Sequence, residues 1–395
     1  MASADQAKPV HELTDEQLKQ IVAEADTGGR KPTGFAAGLL LMVALAWSLF
    51  QLWIASPLPF SLGVFVFNDT ESRAIHLAFA VFLAFAAYPA FKGSPRDHVP
   101  VVDWVFAAVG AFCAAYLFIF YRELAQRPGM PTDLDLAAAV VGMLLLLEAA
   151  RRALGLPMVI LAAVFLVYIF FGPYMPEVIA HRGASLAKGM SHMWLTTEGV
   201  FGVAVGVSTS FIFLFVLFGA LLETAGAGAY FIKSAIALLG HMRGGPAKAA
   251  VVASASTGLI SGSSIANVVT TGTFTIPLMK SVGYRADKAA SVEVASSVNG
   301  QLMPPVMGAA AFLMVEYVGI TYVQVMKHAI LPALISYIAL YYIVHLEALK
   351  MNLQGLPRRE SLPWQRAMIS TTLTVSGLVI LSAIIYWGFG WLKTV

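Results

Sequence analysis

Apolar runs of membrane-crossing length, separated by short charged or proline-bearing connections, set the rhythm of the chain. They fall at about 34–54, 73–91, 101–121, 135–150 and 155–172, judged by the rule that roughly 20 residues cross a bilayer core. Residues 173–200 break the rhythm. There Pro173, Pro176, Glu177, His181, Arg182, Lys188, His192 and Trp194 are mixed with small and apolar positions, a pattern that predicts an amphipathic helix lying along the interface. Apolar segments resume at 201–224 and 228–240, followed by an interrupted stretch at 246–280. Two short segments, 285–300 and 303–320, precede ordinary spans at 326–349 and 368–391. The pattern predicts an all-α polytopic membrane protein.

The interrupted stretch carries the candidate chemistry. From Ser256 to Gly272 it sets hydroxyls, glycines and an amide at membrane depth, where such residues form poor helix and are costly to bury without partners. Irregular backbone survives there only if protein buries it or it lines a wet cavity. Pro246 suits the first turn of one half-helix, Gly258 to Ser264 supplies the break, and Asn267 to Pro277 begins the return. Neither half can cross a core of roughly 30 Å alone. The reading is a re-entrant hairpin with its tip at a transport site. Ser261, Gly262, Ser263, Ser264 and Asn267 would offer oxygens to a cation or substrate, with Na⁺ expected at Gly258, Ser261, Ser263 and Asn267. The exposed amides of a half-helix N-terminus would favour a carboxylate. Close helix packing is the competing role for so many small residues.

A second interruption runs from Ser296 to Pro305. Pro304 and Pro305 remove two amide donors, and Asn299, Gly300 and Gln301 place polar groups beside the break. A plain loop between two spans is the alternative. Two broken helices this near in sequence are expected to face one site.

Composition agrees with the pattern: 58% of the 395 residues are hydrophobic and 12% charged, with a mean hydropathy of +0.77, which excludes an ordinary soluble domain. The net charge of +3 is scattered over loops, so nucleic acid is not an expected partner and the lipid bilayer is. The one cysteine, Cys113, reads as a small buried hydrophobe. Residues 1–33 form a hydrophilic segment without an apolar core of signal-peptide length. Thr14 to Gln17 has capping-box spacing, and Leu13, Leu18, Ile21 and Val22 would line one face of a short helix. Arg30, Lys31, Lys92, Arg96, Arg151 and Arg152 fall in alternate connections, and Lys350, Arg358, Arg359 and Arg366 in the last one. The positive-inside rule then places the N-terminus in the cytoplasm. Arg73, Arg122 and Arg127 fall on the other side, offset by Asp69, Glu71, Glu123 and Asp133.

Ionisable groups within apolar segments are functional candidates. Glu148 beside Arg151 and Arg152 reads as an interfacial ion pair, Glu223 as a helix-end group, and Lys233 and His241 as snorkelling or interfacial groups. Glu293 and Glu316 flank the second break, where a protonatable carboxylate would serve proton coupling.

The residues Gly258-Leu-Ile-Ser-Gly-Ser-Ser-Ile-Ala-Asn267 and Asn299-Gly-Gln-Leu-Met-Pro-Pro-Val-Met-Gly-Ala-Ala-Ala-Phe312 resemble the large membrane subunit of tripartite ATP-independent periplasmic (TRAP) transporters. The second motif is most similar to the TAXI subgroup, whose small and large membrane subunits are commonly fused. The resemblance implies a small-subunit-like scaffold over 34–172, an interfacial linker over 173–200, and the first repeat of the large transport subunit over 201–395. It implies an elevator-type secondary transporter of the bacterial inner membrane. Such a permease takes a small organic acid from a periplasmic substrate-binding protein and imports it on a Na⁺ or H⁺ gradient, without an organic cofactor. The tip would be cation and substrate lining, with Asn299, Gly300, Pro304 and Pro305 as the opposite wall.

One departure is visible: the large subunit resembles paired inverted repeats, and only one Ser/Gly-rich hairpin stands in this chain. Either the sequence is a fragment, or a second membrane chain supplies the other repeat; the second is favoured because Val395 closes an apparently complete span. An enzyme is not expected, since no Asp pair, His-Glu-x-x-His or Gly-x-Ser-x-Gly with a supporting His stands out. No Gly-x-x-x-x-Gly-Lys-Ser/Thr loop points to ATP use. The remaining alternative is a structural scaffold subunit of a membrane complex without its own transport site.

Overall fold

The computed structural model describes residues 29–91 and 93–356, and in that range the chain is helical without strands. The helices are α1 (Gly34–Ala55), α2 (Leu58–Leu62), α3 (Asp69–Ala87), α4 (Val101–Ile119), α5 (Tyr121–Gln126), α6 (Asp133–Leu154), α7 (Leu156–Phe171), α8 (Leu186–Trp194), α9 (Val203–Thr224), α10 (Ala227–Leu239), α11 (Gly245–Gly258), α12 (Ser264–Ser281), α13 (Ala286–Asn299), α14 (Ala309–Val318) and α15 (Tyr322–Lys350). Among the described residues six helices are long and apolar enough to cross a membrane: α1, α3, α4, α7 with its extension to Tyr174, α9 and α15. The helix expected around 13–22, the span at 368–391, and Lys92, Arg358, Arg359 and Arg366 lie outside the described residues. The described residues form two compact units, one up to Leu214 and one from Phe215.

Polar caps set where several spans begin. Asn68 and Glu71 form a reciprocal capping box at the start of α3, as do Thr132 and Asp135 for α6 and Thr321 and Gln324 for α15. For this reason α3 starts at Asp69, ahead of the expected 73–91, and it ends at Ala87, where Tyr88 turns to extended backbone. Likewise α6 outruns the expected 135–150 at both ends. It keeps Asp133 and Asp135 in its first turn and Arg151 and Arg152 in its last, which suits the helix macrodipole.

In the first unit Leu77, Val81 and Phe85 of α3 pack with Ala107 and Cys113 of α4, Met143 of α6, and Trp194 and Phe201. Trp194 is buried, and its indole N–H donates to the Cys113 carbonyl at 3.0 Å. Cys113 is thus the buried small residue expected. The segment 173–200 is α-helical over nine residues only, Leu186–Trp194, after a short 3₁₀ turn at Gly172–Tyr174; Pro173 and Pro176 supply no amide donors and Gly183 adopts a left-handed φ of 67°.

Charged groups from several connections of this unit converge on Asp103 and Glu148. Arg30 pairs with Asp103, and its guanidinium also donates to the Phe85 carbonyl at 3.1 Å and the Pro95 carbonyl at 3.1 Å. Arg152 reaches Asp103 and Glu148, both at 2.8 Å; Arg151 holds Glu148 at 2.7 Å. The expected ion pair of Glu148 therefore belongs to a larger network. Elsewhere in the unit Arg127 pairs with Asp135 at 2.9 Å, where Asp133 had been the expected offset, and Tyr116 donates to the same carboxylate at 2.7 Å.

The second unit holds both interruptions. Pro246 does sit in the first turn of α11, and α12 carries Pro277 within its length. Ala247, Ala250 and Val251 of α11 pack with Met279, Tyr284, Ala289, Tyr337, Val344 and Ala348, which ties the broken helices to the long α15.

Candidate functional site

The first break is the segment 259–263 between α11 and α12. Ser263 caps α12, its hydroxyl accepting from the Ala266 amide at 3.2 Å. The return therefore begins at Ser264, three residues ahead of the expected Asn267. After Asn299 the second break runs through a short 3₁₀ turn, Gly300–Leu302, to Gly308, with a cis peptide between Pro304 and Pro305.

The two breaks meet at glycines. A Cβ built on Gly258, the last residue of α11, would stand 2.8 Å from the Gly300 Cα. Gly262 likewise lies against the Met307 carbonyl. Backbones this close leave no space for a side chain, so both contacts demand glycine. Polar bonds add to them: the Gln301 amide donates to the Ser264 hydroxyl at 2.8 Å, and Asn267, 1% exposed, donates from Nδ2 to the Ser254 carbonyl at 3.0 Å.

Around that meeting point lies a buried group of oxygens. Thr271 and Thr275 both contact the Glu293 carboxylate, and Ser297 Oγ stands 3.2 Å from it. Ser254 Oγ is 3.2 Å from Ser297 Oγ, and the Tyr337 hydroxyl donates to the Ser296 carbonyl at 2.9 Å. Glu293 and Ser297 are 0% exposed. Gly272 makes room for the acid: a Cβ there would stand 3.1 Å from Glu293 Cγ.

The expected site residues separate under this geometry. Gly258 and Asn267 come together with Gly300 of the second break, Ser264 with Gln301, and Gly262 with Met307. Ser261 is partly buried, its amide bonded to the Thr257 carbonyl at 3.0 Å, and Asn299 is the partly buried last residue of α13. Ser263 and Pro305 are exposed and Pro304 partly buried; the Pro305 carbonyl accepts from the Tyr322 hydroxyl at 2.6 Å. Glu316 is exposed on α14, a different helix from the α13 that buries Glu293. For the Na⁺ set Gly258, Ser261, Ser263 and Asn267, the donor chemistry is all oxygen and suits a hard cation. Two of its oxygens are already engaged, however: Ser263 Oγ caps α12, and Asn267 Oδ1 faces Thr271 Oγ1 at 3.5 Å. Among the described residues no group of three or more His, Cys, Asp and Glu side chains could hold a metal.

Sequence reasoning missed Ser254, Thr271, Thr275 and Ser297. Their signal was spacing: Asn267, Thr271 and Thr275 recur every fourth residue, as do Glu293 and Ser297, which stacks each set on one helix face.

Comparison with known proteins bears on this architecture. The model of the family described as "Tripartite ATP-independent periplasmic transporter, DctM component" matches residues 140–394, nearly two thirds of the chain and both interruptions. The chain belongs to this family. Among its relatives, the "C4-dicarboxylate TRAP transporter large permease protein DctM" of Vibrio cholerae is 30% identical over 174 residues, 43% of this chain and 37% of the relative. The protein of the same description from Pseudomonas aeruginosa is 30% identical over 174 residues, 43% of this chain and 39% of its own length. That of Rhodobacter capsulatus is 37% identical over 91 residues, 23% of this chain and 21% of the relative. The chain thus spans well under half the length of these relatives. Family membership and the six apolar helices together make it a multi-pass protein of the inner membrane.

Proposed function

We propose that the chain is a membrane permease component of a binding-protein-dependent secondary transporter, with α11 and α12 as a re-entrant hairpin. The observation that carries this reading is the glycine contact of Gly258 with Gly300, which brings two half-helix breaks face to face beside a buried polar group. Opposed breaks place uncommitted backbone amides and carbonyls at one point, the arrangement by which transporters hold an ion and a substrate. The lining would be Ser261, Gly262, Ser263, Ser264 and Asn267 on one side and Asn299, Gly300, Pro304 and Pro305 on the other.

The cargo is a small organic acid, and a C4-dicarboxylate follows from the printed descriptions of the relatives. Transport runs inward on a Na⁺ or H⁺ gradient by an elevator movement of the residues from 201 on. In this reading residues 1–33 are cytoplasmic, 34–172 form a fused small-subunit scaffold of the TAXI type, and 173–200 link it to the transport part. The first 139 residues precede the family match, which supports a fusion, and the match also takes in 140–172 at the end of that scaffold. Partners are a periplasmic substrate-binding protein and a second membrane chain carrying the part of the large permease that the match to the relatives does not reach.

Asn267→Ala and Ser263→Ala, expressed with the whole transport system in a host lacking its own dicarboxylate uptake, should abolish cation-dependent succinate uptake while membrane levels stay normal. Undiminished uptake by both variants would remove the tip from the site. Loss of assembly in both would favour a scaffold role.

A further inference from the structure

Glu293 carries a chemistry that the transport reading leaves open. Its side chain is buried, and among the described residues no lysine, arginine or histidine pairs with it. An unpaired buried carboxylate is costly while charged. α12 presents Thr271, Gly272 and Thr275; α11 presents Ser254, its Lys248 lying instead over the Tyr341 ring at 5.6 Å. α15 presents Tyr337, which donates to the Ser296 carbonyl; Lys288 of α13 pairs with Glu347 of α15 at 3.1 Å. Among the described residues the carboxyl group therefore faces hydroxyls and no cation.

Counting hydrogens narrows the chemistry. Thr271 Oγ1 touches Glu293 Oε1 and also the Asn267 carbonyl at 2.7 Å; Thr275 Oγ1 touches Glu293 Oε2 and the Thr271 carbonyl at 3.0 Å. Each hydroxyl has one hydrogen to give. With both threonines turned to the carboxylate, the charged form receives two donors, and Ser297 can supply a third. With both turned to the backbone carbonyls four residues back, their lone pairs face the acid, and the protonated form donates its own O–H to one of them. The same heavy-atom positions serve both forms, so gain or loss of a proton requires only hydroxyl rotation. A hard cation fits less well, because it would stand about 2.3–2.6 Å from each oxygen, whereas these oxygens already touch one another.

We propose that Glu293 is a proton-carrying group of the permease. A proton from water bonds to one carboxylate oxygen and takes the side chain from a charge of −1 to neutral; release to water reverses this. Thr271 spans Glu293 and Asn267, and Asn267 Nδ2 would stand 2.9 Å from a Cβ on Gly300, so the hydroxyl that reports the proton lies against the meeting point of the two breaks. This inference rests on the transport reading for its purpose, but not for its test.

The test is infrared difference spectroscopy on the full chain, with its co-purifying membrane partner, in lipid nanodiscs across a pH series. Wild type should show the C=O stretch of a protonated carboxylic acid that fades as pH rises; Glu293→Gln should lack it and Glu293→Asp should restore it. An unchanged carboxyl region in Glu293→Gln would overturn the proposal, with Glu293→Asp serving as the check that the fold is kept. In proteoliposomes with the binding protein, labelled succinate uptake by wild type should rise with an inward proton gradient, and that stimulation should be lost in Glu293→Gln. Stimulation surviving in Glu293→Gln would sink the proton assignment and leave the transport reading standing. Absence of succinate uptake in wild type would count against the transport reading, with the infrared band still deciding Glu293.

Discussion

Gly258 and Gly300 meet backbone to backbone, with 2.8 Å between the position of a Cβ on the first and the Cα of the second. A methyl group there has no flexible side chain to displace, only main chain. Gly258→Ala should therefore destabilise the second unit by about 1–3 kcal/mol, the usual cost of overpacking. Gly226, which has nothing within 4 Å of a built Cβ but a left-handed φ of 88°, separates backbone strain from crowding as a second alanine variant. Equal unfolding midpoints for wild type and Gly258→Ala in mild detergent would contradict the contact.

Asp103 stands between two buried guanidiniums, with the Arg30 side chain 0% and the Arg152 side chain 2% exposed. Asp103→Ala takes the carboxylate from Arg30 and leaves Arg152 with Glu148 alone, and breaking a buried pair costs about 3–5 kcal/mol. The Arg285–Asp287 pair is 76% and 59% exposed, so Asp287→Ala should change stability by about 0–1 kcal/mol. Thermal unfolding of the two variants side by side checks the contrast; equal losses would mean that burial does not set the strength of the Asp103 network.

Tyr284, in the turn between α12 and α13, buries a hydroxyl that has no hydrogen-bond partner among the described residues. Burial, and then the Glu347 charge, pushes its phenol up to about 12. A folded-state value above the unfolded one means that the native state holds its proton longer, so stability falls as pH rises between about 10 and 12. Tyr284→Phe should flatten that fall, and at neutral pH it should be neutral or stabilising by up to about 1 kcal/mol, since it removes an unsatisfied polar group. Denaturation midpoints at neutral and strongly alkaline pH measure both effects. A variant clearly less stable than wild type at neutral pH would show that the hydroxyl has a partner.

Trp194 lies on Gly142, whose built Cβ would reach the indole ring at 3.0 Å from its Cη2 atom and closer to other ring atoms. Gly142→Ala should cost about 1–3 kcal/mol by overpacking, and Trp194→Phe about 1 kcal/mol for the lost bond to the Cys113 carbonyl, plus its packing. Tryptophan fluorescence should shift to longer wavelength in Gly142→Ala if the ring is displaced towards solvent. An unshifted spectrum with unchanged stability would refute the contact.

The spans were legible in the sequence because hydropathy is summed over a helix and needs no knowledge of neighbours. Their ends were less so: the start of α3 depends on whether Asn68 and Glu71 close a capping box, which the run beginning at Arg73 does not reveal. The two breaks were legible for the same local reason, since glycine, proline and clustered hydroxyls act on the backbone where they stand. The site was legible only in part. Glu293 and Glu316 both read as carboxylates flanking the second break, yet one is fully buried and the other exposed, because their helices pack differently.

By itself, the sequence determined that this protein is an all-helical membrane protein with two interrupted segments, through composition and backbone preference. Tertiary structure alone decided that Gly258 meets Gly300, that Thr271 and Thr275 from one helix close on Glu293 from another, and that Asp103 gathers Arg30 and Arg152. Such contacts depend on which helix faces pack together across tens of residues. Periodicity along the chain shows which residues share a face and does not show what that face meets.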